Sequence, residues 1–232
     1  MGVPSIIESE QNHRPHMHDL FELIEPPQPP KETMAEGAVL LRGAALPFEK
    51  EVLAAVNDIT AISPFRHMVT PGGYTMSVAM TNCGRFGWVS SEQGYRYAER
   101  DPATERPWPA MPAVVLELAR SAADAAGFSG FEPDACLVNR YEPGTRLTLH
   151  QDKDERDFRW PIVSVSLGVP AVFLFGGLKR KDRPLRMTLM HGDVVAWGGP
   201  SRLRYHGVAP LKEAQHPFAG AARINLTLRR AR

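Results

Sequence analysis

Leu147-Thr148-Leu149-His150-Gln151-Asp152-Lys153-Asp154 opens with Leu147 and Leu149 alternating against Thr148 and His150, the pattern of a strand near its end. Residues two apart in a strand share a face, so His150 and Asp152 can converge on one point. An imidazole and a carboxylate make two-thirds of a facial site for non-haem Fe(II), which leaves coordination positions open for oxygen. The third ligand has to come from elsewhere, and His206, in Arg204-Tyr205-His206-Gly207, is the candidate. A lone His-x-Asp triplet is also what a surface pair or an ordinary strand end looks like. The chain carries a competitor as well, His191-Gly192-Asp193, between the apolar runs Met187 to Met190 and Val194 to Trp197. A central Gly between two such runs is a hairpin-turn pattern. The first triplet is therefore taken as the metal site and the second as a turn.

At 232 residues, 43% apolar and 23% charged, the chain suits one soluble domain with a sizeable core. Its net charge of +1 proposes no polyanionic partner by itself, so any nucleic-acid contact must rest on a local basic patch. Cys83 and Cys136 form no CxxC spacing, and a reducing, cytoplasmic setting is expected. The first residues are polar and charged, unlike a signal peptide. Met1-Gly2 opens like a myristoylation site, but Ile6 stands where Ser or Thr is needed. Pro161 to Leu178 carries no charge and just reaches membrane-span length. Ser164 and Ser166 alternate there with Val163, Val165 and Leu167, and Gly168, Pro170, Gly176 and Gly177 punctuate it. Two buried strands are expected, and no membrane segment.

Residues 1–35 read as a Pro-rich tail, stiffened by Pro26-Pro27-Gln28-Pro29-Pro30. His13, His16 and His18 make either a metal-binding cluster or part of a disordered polar segment. Residues 36–110 hold a strand at Gly37 to Leu41 and an amphipathic helix within Pro47 to Ser63, where Phe48, Val52, Val56 and Ile59 recur at helical spacing. From Met68 to Tyr97, glycines break a stretch rich in Met and aromatic residues. This is either an irregular β-rich region with a mixed core or a mobile recognition lid whose rings stack on bases. Residues 111–232 begin with a helix over Pro112 to Ala126, stopped by Gly127. Short strands follow at Ala135 to Tyr141, Leu147 to Gln151, Ile162 to Leu167, Ala171 to Phe175, Arg186 to Met190, Val194 to Trp197 and Arg223 to Leu228. The succession predicts an α+β protein with a double-sheet jelly-roll core.

The final strand, Arg223-Ile224-Asn225-Leu226-Thr227-Leu228-Arg229, puts Ile224, Leu226 and Leu228 on one face and the polar residues on the other. Such a polar face is commonly solvated. Two arginines on it can instead clamp the carboxylates of a small diacid, and a facial metal triad plus a diacid clamp is what a 2-oxoglutarate-dependent oxygenase needs. The sequence closely resembles the bacterial AlkB family of Fe(II)/2-oxoglutarate DNA-repair dioxygenases, from about Asp19-Leu20-Phe21 to Arg229. The resemblance rests on Thr70-Pro71-Gly72-Gly73-Tyr74-Thr75-Met76-Ser77, Asp134-Ala135-Cys136-Leu137-Val138-Asn139-Arg140-Tyr141, the run His150 to Asp154, and the Arg-x-Asn-x-Thr-x-Arg signature at 223 to 229.

That resemblance implies a double-stranded β-helix (jelly-roll) core with supporting helices and a β-rich nucleotide-recognition lid. It implies metal ligands at His150, Asp152 and His206, and 2-oxoglutarate held by Asn139, Tyr141, Arg223, Asn225 and Arg229, with Arg223 on the distal carboxylate. Substrate contacts carry over to Trp88, Tyr95, Tyr97, Asp154 and Arg180. The implied reaction uses Fe(II), 2-oxoglutarate and O2 to hydroxylate the methyl of 1-methyladenine or 3-methylcytosine, which leaves as formaldehyde beside succinate and CO2. The implied substrate is alkylated DNA, single-stranded or with the base flipped from a duplex, and RNA as well; the implied enzyme is a monomer.

The basic stretch Lys179-Arg180-Lys181, Arg183 and Arg186 would meet phosphates or form a solvated turn. Two departures stand out: Arg96 replaces an apolar residue between Tyr95 and Tyr97, and Ile224 replaces an aromatic. Met17-His18-Asp19-Leu20-Phe21 resembles the start of shorter members, which makes residues 1–16 an expected extension. The alternatives are the same oxygenase chemistry on a protein or small molecule, and a jelly-roll binding module without turnover.

Overall fold

The computed structural model describes Met1 and residues 30–232. The tail histidines and the extension ahead of Met17 lie outside the described residues. The first elements are β1 (Lys31–Ala35), β2 (Ala38–Leu41) and α1 (Glu49–Ile62), followed by β3 (Arg66–Val69), β4 (Thr75–Gly84), the pair β5 (Gly87–Ser91) and β6 (Gly94–Ala98), and α2 (Ala113–Ala125). The remainder is β7 (Ala135–Tyr141), β8 (Leu147–His150), β9 (Ile162–Gly168), β10 (Ala171–Phe175), β11 (Leu185–Leu189), β12 (Val194–Trp197), β13 (His206–Val208) and β14 (Arg223–Arg229).

Strands order as β1-β2-β12-β9-β14-β7-β4-β3 in an eight-stranded sheet and as β11-β10-β13-β8 in a four-stranded one, with β5-β6 a separate hairpin. The two larger sheets make the expected jelly roll. The period-2 pattern of each strand places it. On β9 and β14 the apolar set (Val163, Val165, Leu167, Ile224, Leu226, Leu228) packs with Val52, Val56 and Ile59 of α1 and Val115, Leu118 and Ala122 of α2. The opposite face, with Leu40, Val195, Trp197 and Tyr141, meets Phe173, Phe175 and Val208 of the smaller sheet. Burying each aliphatic side chain contributes about 1.5–3 kcal/mol. The helices present the i, i+3, i+4 stripes that this layer requires, and α2 ends where Gly127 adopts φ +91° and Phe128 N–H bonds back to Ala123 O.

The polar face of β14 is buried like the rest of the strand, because both faces of the large sheet are covered. Three expectations need correction. Lys31–Ala35 falls within the range assigned to the tail, yet it pairs with β2 as an edge strand. Met68 to Tyr97 is regular rather than irregular: β4 runs ten residues and joins the main sheet, while β5 and β6 form the hairpin that stands apart. Finally, His191-Gly192-Asp193 is a turn, with Gly192 at φ +85°, but not a hairpin. It carries the chain from the small sheet (β11 beside β10) to the large one (β12 beside β9 and β2). Asp193 is 2% exposed and accepts bonds from Arg42 Nη1 (2.7 Å), Gly43 N (3.0 Å) and Met190 N (2.9 Å). It fastens the crossing between the sheets. Pro161 to Leu178 forms β9 and β10 as expected, and among the described residues no helix is long and apolar enough to cross a membrane.

Candidate active site

Between the sheets lies a cavity of about 500 Å³, walled by residues of both. His150 ends β8 and is in register with His206 at the start of β13. The next residue, Gly207, makes that pairing possible: a Cβ there would sit 2.6 Å from the Leu147 carbonyl oxygen. Asp152 follows just beyond the strand. One ligand atom from each of His150, Asp152 and His206 lies within 4.8 Å of the others. His150 Nε2 is 3.7 Å from Asp152 Oδ1, and His206 Nε2 is 3.6 Å from Asp152 Oδ2.

Each imidazole has its Nδ1 against a backbone carbonyl, His150 on Thr148 O (2.9 Å) and His206 on Arg204 O (3.1 Å). A proton on Nδ1 that donates to the carbonyl leaves the Nε2 lone pair facing the triad centre, the orientation that metal-binding histidines need. Loss of water around the ring, and then His206 beside it, pulls His150 down to about 4, so it is neutral at pH 7. Burial alone would raise the Asp152 carboxyl; Arg229 and the imidazoles outweigh it and hold the group well below the usual carboxylate range. Arg229 contacts Asp152 Oδ2 through Nη2 (2.6 Å) and Nε (2.9 Å). A carboxylate with two imidazoles whose Nε2 atoms face one point fits a divalent first-row metal such as Fe(II).

Antiparallel pairing of β14 with β7 sets Arg223 opposite Tyr141 and Asn225 opposite Asn139. All four, with Arg229, line the cavity. Arg223 is 1% exposed. It donates from Nη2 to Ser166 Oγ (3.0 Å) and lies over the Tyr141 ring, 5.0 Å from its centroid. Among the described residues its Nε and Nη1 have no partner, and neither does Asn139 Oδ1. Burial lowers the pKa of Arg223. A buried guanidinium with two open N–H edges is completed by a carboxylate, which is the fit expected for the diacid. Asn225 differs from the expectation in one respect. Its Nδ2 bonds to Ser164 Oγ (2.8 Å) and Val165 O (2.9 Å), so both its N–H groups are committed to the floor.

At the cavity's edge stand Trp88 of β5, Tyr95 of β6, Asp154 and Arg180. Trp88 and Tyr95 stack with centroids 5.4 Å apart and planes at 16°. The Trp88 indole donates to Asp154 Oδ2 (2.8 Å), so this carboxylate holds the aromatic face in place and keeps Oδ1 for another contact. Tyr97 is not part of the wall. It is 7% exposed, lies opposite Trp88 across the hairpin, and its hydroxyl donates to Glu155 Oε1 (2.6 Å). Arg96, the departure between the tyrosines, reaches Ser91 Oγ (3.4 Å) on the hairpin. Ile224 packs in the helix-side core as an apolar residue should.

Sequence reasoning missed Ser164 and Ser166, although the alternation on β9 is the same signal that marks β14. Nothing in the sequence singled out Glu155 or Arg202, which are buried beneath the metal triad.

The model of the 2OG-Fe(II) oxygenase superfamily matches residues 37–229. The chain is 58% identical over 215 residues to the alpha-ketoglutarate-dependent dioxygenase AlkB of Escherichia coli (strain K12), covering 93% of this chain and 98% of that one. It is 35% identical over 124 residues to the nucleic acid dioxygenase ALKBH1 of Mus musculus, 53% of this chain and 32% of that one. The solved structure of OsALKBH1 superposes with a TM-score of 0.76 at 27% identity, covering 87% of this chain and 100% of that chain.

Proposed function

The chain belongs to the AlkB family of Fe(II)/2-oxoglutarate-dependent dioxygenases, and from that premise we propose that it demethylates N-alkylated bases in DNA, and in RNA as well. One observation carries the reading. The His150-Asp152-His206 triad, the open Nε and Nη1 of Arg223 and the Trp88 face held by Asp154 all border one cavity.

In this reading His150, Asp152 and His206 hold Fe(II), while Arg223, Tyr141 and Asn139 take one carboxylate of 2-oxoglutarate and Arg229 stands nearer the metal. When bound, the metal and 2-oxoglutarate supply with O2 the oxidising power that hydroxylates an N-methyl group, which then leaves as formaldehyde while succinate and CO2 are released. The rest falls to the protein, which binds, aims and shields. Trp88 offers a π face to a cationic methylated base, and Asp154 adds charge attraction from the side. The base has to be unstacked to arrive there. Lys179, Arg180, Lys181, Arg183 and Arg186 are all exposed on and just after the loop that brings Arg180 to the cavity; they supply the phosphate contacts that a net charge of +1 conceals. All three metal ligands come from one chain, in keeping with a monomer, and Cys83 and Cys136 are both free and buried, in keeping with a cytoplasmic enzyme.

The test is formaldehyde release from a single-stranded oligonucleotide carrying N1-methyladenine, with Fe(II), 2-oxoglutarate and O2. Equal amounts of succinate and formaldehyde are expected, with none from the unmethylated strand. Steady 2-oxoglutarate turnover with no formaldehyde from any methylated nucleic acid would point to a protein or small-molecule substrate instead.

A further inference from the structure

Asp152 faces two buried arginines, Arg229 and Arg202, and only the first belongs to the proposed diacid clamp. Arg229 contacts its Oδ2. Arg202, four residues ahead of His206, approaches from behind and donates from Nη1 to the Asp152 carbonyl oxygen (2.8 Å) and from Nε to Trp160 O (3.0 Å). The second negative charge of the cluster is Glu155. Its Oε2 lies 3.0 Å from Arg202 Nη2, with the two side chains 1% and 3% exposed. Its Oε1 is 3.6 Å from Arg229 Nε and accepts the Tyr97 hydroxyl. Neither Glu155 nor Arg202 lines the cavity. They touch neither the triad centre nor anything bound there.

From this geometry we infer that Glu155 is a positioning residue for the metal ligand Asp152. It holds Arg202 on the backbone side of Asp152 and so keeps the second guanidinium away from the carboxylate. The charge of Glu155, with that of Asp152, balances two guanidiniums in a cluster whose side chains are all 9% exposed or less. Without that charge one carboxylate faces two guanidiniums. Attraction between such groups is strong when they are buried, so Arg202 turns toward Asp152 and competes with the metal for its oxygens. Tyr97 fixes the rotamer of Glu155 from the β5–β6 hairpin, which explains why this tyrosine is buried while Tyr95, two residues earlier on the same strand, borders the cavity. The inference rests on Asp152 being a metal ligand.

The experiment is an anaerobic Co(II) titration followed by d–d absorption, without 2-oxoglutarate, alongside the melting temperature of each metal-free protein. Glu155→Gln keeps the shape and the acceptor for Tyr97 but removes the charge; Co(II) affinity should fall about tenfold or more, as it does when groups that orient metal ligands are lost. The double variant Glu155→Gln/Arg202→Gln should recover most of that loss, because the unbalanced cation is gone. Tyr97→Phe should give a smaller loss in the same direction, and it supplies the answer if Glu155→Gln does not fold. A lowered melting temperature with wild-type Co(II) affinity would make Glu155 a structural residue and overturn the inference. So would a double variant that binds no better than Glu155→Gln. Asp152→Ala in the same titration separates the premises: if it keeps Co(II), the metal assignment itself falls, and the role of Glu155 with it.

Discussion

Replacing Arg223 by Met should make the ligand-free protein more stable and at the same time unresponsive to 2-oxoglutarate. Met fills a similar volume, and Arg223 is 1% exposed with Nε and Nη1 unpartnered. Burying an ion costs several kcal/mol even after relaxation. Against that, the variant loses the bond to Ser166, worth about 1 kcal/mol, and the cation–π contact with Tyr141, worth about 1–2 kcal/mol when desolvated. The balance is a gain of about 1–2 kcal/mol, and thus a melting temperature higher by about 2–8 °C. Truncating one partner of a buried charge pair costs about 2–5 kcal/mol of binding, which weakens 2-oxoglutarate by about thirty-fold to several thousand-fold. Wild type at a hundred times its dissociation constant gains about 2.7 kcal/mol; the variant at the same concentration gains about 0.9 kcal/mol at the weakest expected effect and close to zero at the strongest. Scanning calorimetry with and without 2-oxoglutarate, with Mn(II) present and oxygen excluded, reads both effects in one experiment. A variant that melts lower when empty, yet still shifts with 2-oxoglutarate, would refute the reasoning, since Arg223 would then be a structural residue and not an anion site awaiting its ligand.

The two His-x-Asp triplets should separate cleanly. Asp152→Ala loses Co(II) binding with little change in fold, whereas Asp193→Ala keeps the metal and loses about 3 kcal/mol by urea titration, more than the ~1 kcal/mol of an ordinary turn residue, because it leaves two backbone N–H groups without their acceptor and takes from Arg42 one of its two carboxylate partners. Asp154→Asn keeps an acceptor for the Trp88 indole but removes the charge, so kcat/KM for cationic N1-methyladenine should fall more than for neutral N1-methylguanine; equal falls would leave Asp154 a holder of Trp88 alone. Burial, and then the His191 ring stacked 4.2 Å away, lower the pKa of His216 below 6.5. The unfolded chain therefore takes up this proton first, and stability is complete above about pH 6.5 and declines as pH falls below it. His216→Gln should flatten that part of the urea-midpoint profile, and an unchanged slope would assign the acid sensitivity elsewhere.

Much of the site was legible because alternation is a local signal. The pattern of β14 is enough to put Arg223, Asn225, Thr227 and Arg229 on one face, and His150-x-Asp152 has its meaning within three residues. The rival triplet was rightly set aside on the Gly between two apolar runs, but its partners could not be read. A turn that joins strands in different sheets has the same sequence as a hairpin, and the difference lies in what β11 and β12 pair with.

Sequence alone determined both helices and most of the jelly-roll strands, though not β1, β3 or β13, and with them the apolar faces and the residue types that can hold a divalent metal and a diacid. It could not say that the polar face of β14 is buried, since that depends on a second sheet brought over it by strands distant in the chain. It could not place Tyr97, which shares a strand face with Tyr95 yet is buried with its hydroxyl on Glu155, because what covers each end of that face is decided by the packed hairpin. Nor could it find Glu155 and Arg202, 47 positions apart in the numbering, whose charges have meaning only where burial removes the water that would otherwise screen them. Local chemistry set the ligands; long-range packing set the dielectric around them and the neighbours that hold them still.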